Sequence, residues 1–139
     1  MTDHRLYIVA SVVATEVPPD SPIEEFMAVI DVIRNRAKRT QEVGDLVMAV
    51  LAKNQFSAVC REDYWRRAMA GYWQPAHVQK CLDLVTQDWP DTTDGANYYY
   101  SPISMVPQWS APSWAAKFEG KTIPGVRPDY FKFFKGAYP

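Results

Sequence analysis

A chain of 139 residues, 47% apolar and 14% aromatic, is long enough for one packed domain; it excludes a disordered, collagen-like or disulfide-stapled protein. Fifteen Lys and Arg against sixteen Asp and Glu leave a net charge of −1, too acidic for a protein that holds nucleic acid mainly by bulk electrostatics. The unusual quantity is the set of eight Tyr, six Phe and five Trp, concentrated after Tyr64.

The apolar run Leu6 to Ala14 is too short to cross a bilayer, which takes about 20 apolar residues. Asp3 and the Thr15-Glu16-Val17 exit do not suit a secretory leader, so the run reads as a buried helix over about residues 4–16, broken by Pro18-Pro19-Asp20. Ser21 as N-cap, Pro22 at the first helical position and Glu24 closing a capping box then start a second helix, about residues 22–39. Ile23, Phe26, Met27, Ile30, Ile33 and Ala37 form its core face, and Glu25 falls on the polar side. Arg34, Arg36, Lys38 and Arg39 complement the negative end of its dipole.

A third helix spans Val43 to Lys53, and Asn54-Gln55-Phe56-Ser57 is a loop. Two further helices, Glu62 to Ala70 and Pro75 to Trp89, are separated by Gly71 at a C-cap. Val78, Cys81, Leu82 and Val85 mark the buried stripe of the latter. Turn chemistry follows at Pro90 to Gly95, then an extended segment from Asn97 to Pro102. Residues 112–119 read as a short helix, and the remainder as a Pro- and Gly-punctuated tail. The expected fold is mainly α, a single domain over residues 1–139 with five or six helices and an extended aromatic segment at Tyr98–Tyr100.

Glu16, at the end of an apolar helix, has two open readings. It is either a solvated carboxylate, though one opposed by the helix dipole, or a carboxyl held against apolar walls that disfavour its charge and suit it to general acid work. Cys60 and Cys81 read as free buried thiols. His77 and Cys81 share a helix face, but no metal-ligand spacing accompanies them, so neither a metal nor another cofactor is expected.

Five motifs occur in order: Ala14-x-Glu16, Ala28-Val29-x-x-Val32-Ile33-x-Asn35-Arg36, Gln55-Phe56-Ser57, Gly95-Ala96-x-x-Tyr99 and Pro107-x-Trp109. Together they resemble the SleB-type cell-wall hydrolases, the spore-cortex-lytic family that includes phage endolysins, over roughly residues 6–130. The resemblance implies a lysozyme-like fold that cleaves peptidoglycan glycan strands between N-acetylmuramic acid and N-acetylglucosamine, with Glu16 catalytic. It places Gln55 and Ser57 on the cleft wall and Tyr99 beside the acid or substrate, while Asn35 and Arg36 tie a helix end to a loop. Tyr98, Trp109 and Trp114 fall on the aromatic segments after Gly95, where rings suit the flat faces of sugars; Phe26, Phe56 and Trp89 read as core. The chain departs from the family pattern after Glu16 and at Pro124 to Phe131, where a family histidine is missing and Arg127 and Asp129 stand.

Hydrolytic glycosidases generally use a second carboxylate. Asp20 is the nearest free acid but reads equally as a turn residue, so a one-acid lytic transglycosylase is preferred to a lysozyme. The rivals are a non-catalytic virion or peptidoglycan-binding protein, and an amidase or peptidase using Cys60 with His77. The expected partner is peptidoglycan, met by a monomer without nucleic acid or stable membrane insertion. The implied setting is the host cytoplasm before holin-type release to the cell wall, or the virion.

Overall fold

The structure, a computed structural model, describes residues 3–52 and 67–138. Gln55, Phe56, Ser57, Cys60 and the start of the helix expected from Glu62 lie outside the described residues. Helix α1 runs Leu6–Glu16 and buries Leu6, Val9, Ala10, Val12, Val13, Ala14 and Thr15. So much of its circumference is apolar because it packs against α3 (Val43–Leu51) and most extensively against α4 (Pro75–Val85). None of the described helices is long and apolar enough to cross a membrane.

Helix α2 (Ile23–Arg36) is shorter at both ends than the apolar spacing predicts. The capping box does not form. Pro22 holds the cap position without a side-chain bond, and the Ser21 hydroxyl instead accepts from Arg127 Nη2 at 3.3 Å. Past Arg36 the backbone of Lys38 and Arg39 turns left-handed, with φ of 55° and 52°, and Arg39 reaches back to Asp31 and Asn35. Phe26, Ile30, Ile33 and Ala37 are buried as expected, but Ile23 is exposed.

Glu25 overturns the expected polar side: it is fully buried. A buried charge survives only when paired and hydrogen-bonded, and Arg127 supplies both. Its backbone N, Nε and Nη2 donate to the Glu25 carboxylate at 3.0, 2.8 and 2.8 Å. Gly125, at φ +84°, makes the turn that delivers Arg127, and a Cβ there would fall 2.5 Å from Glu24 Cγ. Asp31 is buried in the same manner, accepting from Trp89 Nε1 at 3.0 Å, Thr92 N at 3.0 Å, Thr92 Oγ1 at 2.6 Å and Arg39 Nη1 at 3.2 Å.

α4 ends at Val85, four residues earlier than expected. Arg34 takes up carbonyls at that end, donating to Val85 O at 3.4 Å and to Gln87 O, and lies 4.2 Å over the Trp89 ring. Trp89 is therefore half-buried at the core's margin rather than inside it. The expected helix at 112–119 is a single 3-10 turn, Ser113–Ala116.

The extended segment at Tyr98–Tyr100 is a strand as expected, and the tail contributes two more that the sequence did not announce. β1 (Tyr98–Tyr100), β2 (Glu119–Lys121) and β3 (Lys132–Lys135) form an antiparallel sheet in the order β1-β3-β2, with Tyr99 opposite Phe133 and Lys121 opposite Phe133 across the other edge. Fold class matches expectation: mainly α with a small sheet.

Replacing Arg127 by Met strands the Glu25 carboxylate in the core. Removing one partner of a buried pair costs about 3–5 kcal/mol, and the partial exposure of Arg127 places this case near the lower figure. Urea unfolding followed by circular dichroism measures it.

Candidate active site

The last turn of a helix leaves carbonyls without intrahelical partners, and α1 ends inside the protein. His77 on α4 meets part of that need: its Nε2 lies 3.0 Å from Ala14 O and 2.9 Å from Val17 O. Carbonyls only accept, so Nε2 carries a proton and donates to both. Thr15 is buried; its hydroxyl donates to Ser11 O at 2.8 Å and accepts from Trp73 Nε1 at 2.6 Å. Arg67 Nη1 donates to Thr15 O at 2.8 Å.

Glu16 is the final residue of this helix, and its side chain is 8% exposed. Of the two open readings the structure has the buried one, but the walls are not apolar alone. Arg67 Nη1 donates to Oε2 at 3.0 Å and the Tyr99 hydroxyl donates to Oε1 at 2.8 Å. The reason is general: an ionised carboxylate at the negative end of a helix dipole, out of water, requires a cation and donors.

Tyr99 arrives through a relay from the end of α2. Asn35 Nδ2 donates to Asp91 Oδ2 at 3.0 Å and Ala96 O at 2.8 Å, and Arg36 Nε donates to Asn97 O at 2.6 Å. Asp91 also accepts from Thr93 N at 2.8 Å and Gly95 N at 2.9 Å. Burial opposes its charge, yet these donors hold its carboxyl below the usual range. The turn so fixed leads directly into β1. Asn35 and Arg36 thus tie a helix end to a loop, and through it they set the strand that carries Tyr99.

Successive strand residues face opposite sides of a sheet, which divides the tyrosines. Tyr99 packs on Phe131 and Phe133 toward the core and Glu16. Tyr98 faces the other way, against Trp114, Phe118 and Tyr138, with its hydroxyl donating to Ala137 O at 2.7 Å. It does not stand beside Glu16. Trp109 is 55% exposed, on a loop, with a left-handed φ of 70°. Burial and the neighbouring Glu16 carboxylate push the Tyr99 phenol well above its ordinary value.

Arg67 and Trp73 are residues that sequence reasoning missed here, and it singled out His77 only as a metal-ligand candidate or a partner for Cys60. Only Gly71 offered a local sign: at φ +91° it breaks the helical turn Ala68–Tyr72 from within and reverses the chain, so that Arg67 and Trp73 both reach the end of α1. Cys81 is buried, and desolvation pushes its thiol up to about 12, which suits packing rather than nucleophilic attack. Among the described residues no cluster of His, Cys, Asp and Glu is arranged to hold a metal ion.

The cell wall hydrolase family model matches residues 20–122, most of the chain. The chain belongs to the cell wall hydrolase family. No curated protein and no solved structure matched it. Membership carries peptidoglycan as the substrate class. Asn35, Arg36, Tyr99 and Trp109 fall within the span matched to the hydrolase family; Glu16 and Arg127 flank it on either side.

The Tyr99 shift has a consequence for stability. In the unfolded chain the phenol ionises near 10, whereas in the folded protein it stays neutral well above that. The stability it contributes is complete below pH 10 and is lost as pH rises beyond it. Chemical denaturation between pH 9 and roughly pH 11 is expected to show a shallower decline for Tyr99→Phe than for the unmodified protein.

Proposed function

We propose that this hydrolase cleaves the glycan strand of peptidoglycan between N-acetylmuramic acid and N-acetylglucosamine, as a single lysozyme-like domain with Glu16 as the acid. The observation that carries the reading is the setting of Glu16: a carboxyl group 8% exposed, at the end of an anchored helix, with one oxygen on the Tyr99 hydroxyl. Protonated Glu16 gives its proton to the glycosidic oxygen as the muramic C1–O bond breaks, and the N-acetylglucosamine leaves with a free hydroxyl. The resulting carboxylate then accepts the proton of the muramic 6-hydroxyl while O6 bonds to C1. That closes a 1,6-anhydro ring and restores protonated Glu16. Tyr99, kept neutral by its surroundings, stays hydrogen-bonded to Glu16 and donates to it while it is a carboxylate.

Among the described residues, the disposition of the acids on α2 and in the turn before β1 supports a one-acid mechanism over a hydrolytic one. Glu25 is locked to Arg127, and Asp31 and Asp91 are occupied by donors, whereas Glu24 Oε2 is buried without a hydrogen-bond partner among the described residues. Asp20, the residue a lysozyme reading would use, is exposed. Trp109, held out toward solvent in a strained backbone conformation, is assigned to a sugar face, together with Gln55 and Ser57 from the family motif. Tyr98 is left out of this set because its face of the sheet is turned from Glu16. Action as a phage endolysin, released from the host cytoplasm or carried in the virion, completes the reading and rests on the family resemblance.

Glu16→Gln is expected to abolish glycan cleavage while leaving the circular dichroism spectrum unchanged; full activity in that folded variant would sink the assignment. Mass spectra of digested peptidoglycan should show anhydro-muramic ends, whereas reducing ends carrying oxygen from labelled water would make the enzyme a lysozyme. Trp109→Ala is expected to raise KM several-fold with kcat little changed, because a stacking platform contacts ground and transition states alike.

A further inference from the structure

Arg67 has a place in the site that the substrate-contact reading leaves unused. Its Nη1 bridges two acceptors, Thr15 O at 2.8 Å and Glu16 Oε2 at 3.0 Å, and its guanidinium lies 5.9 Å from the Tyr72 ring centre. Trp73 holds the Thr15 side chain from the far side of the Gly71 turn. The carboxylate is therefore fixed relative to the backbone that bears it, not merely neutralised. The other groups facing this end of α1 are Tyr99 on β1, which donates to the carboxylate, Arg36 on α2, which feels its charge, and His77 on α4, which donates to flanking carbonyls. Among these described residues, Arg67 is the permanently charged group paired directly with Glu16.

We infer that Arg67 is the positioning residue of the catalytic acid: it holds the Glu16 carboxyl in place and sets the pH range over which that group carries its proton. The inference rests on the reading of Glu16 as the acid. A general acid works only when protonated, and an opposite charge in contact favours the ionised form, typically by about 1–3 pKa units. Deleting the charge lets Glu16 keep its proton at pH values where the unmodified protein has lost it, so the alkaline limb of the rate profile moves upward. A contact that served the fold alone would lower the rate at every pH and leave the limb where it was.

The test is the pH–rate profile of glycan release for Arg67→Gln, Arg67→Lys and Glu16→Gln beside the unmodified protein. Arg67→Gln should shift the alkaline limb up by about one pH unit or more and lower kcat. Arg67→Lys should return the limb toward its original position without restoring kcat, since the shorter side chain supplies the charge but not the bridge. A limb in Arg67→Gln that coincides with the unmodified protein's overturns the inference, and an inactive Glu16→Gln in the same experiment leaves the acid assignment standing. An active Glu16→Gln removes the acid assignment itself. If circular dichroism shows that Arg67→Gln does not fold, Arg67→Lys decides: full kcat in that variant overturns the inference.

Discussion

A helix that ends inside a protein presents its unsatisfied carbonyls and the negative end of its dipole to a medium that cannot solvate them. α1 adds a carboxylate at that point, and much of the surrounding structure answers the resulting demand for donors. His77 lies against the last turn because α4 packs along α1. Arg67 and Trp73 reach it because Gly71 reverses the chain between them. Tyr99 reaches it because β1 crosses there. A carboxylate so surrounded has little rotamer freedom, which is what an acid that must meet one particular oxygen requires.

The second dependence runs through charges buried at α2. Asn35 and Arg36 bind the end of the turn that leads into β1, Asp31 binds Trp89 and Thr92 at its start, and Glu25 binds the tail that returns toward β3. These are long-range contacts made by polar groups, and each specifies one partner. An apolar face of the same size would tolerate a shift of register, whereas a buried carboxylate matched to a given guanidinium would not. The positions of β1 and β3 relative to the helices are in this sense set by ion pairs and hydrogen bonds, with apolar packing supplying the bulk of the burial.

This division explains what was legible in the sequence. Apolar spacing located α1 to α4, and the Pro90–Gly95 turn and the extended run at Tyr98 followed from local chemistry. Glu25 looked solvent-facing because its position on a helical wheel is correct for that. Only Arg127, 102 positions away, makes burial the better state. The capping box failed for the same reason, since the competing donor to Ser21 comes from the tail. Lys132-Phe133-Phe134-Lys135 becomes a strand by pairing with Tyr98–Tyr100, and that pairing has no local signature. Within the site, Glu16 and Tyr99 were readable from motif; Arg67 was not, because one of several Arg near the end of a helix reads as a solvated residue until its partner's burial is known.

The aromatic excess now separates into three duties. A sheet whose strands are three and four residues long is marginal by itself and needs both faces covered. Phe131 and Phe133 cover the inner face beside Tyr99, while Tyr98, Tyr100, Trp114, Phe118, Phe134 and Tyr138 pack on one another over the outer one. Arg36 lies 5.2 Å from the ring centres of both Tyr98 and Tyr138, so the residue that anchors the start of β1 also closes the outer cluster. The rings around β1 are thus the structural condition for one phenol, Tyr99, to be held 2.8 Å from Glu16. Trp109 satisfies neither layer: it is exposed and conformationally strained, and nothing in the packing of the sheet accounts for a ring in that position. The sugar contact proposed above for Trp109 is consistent with that exposure.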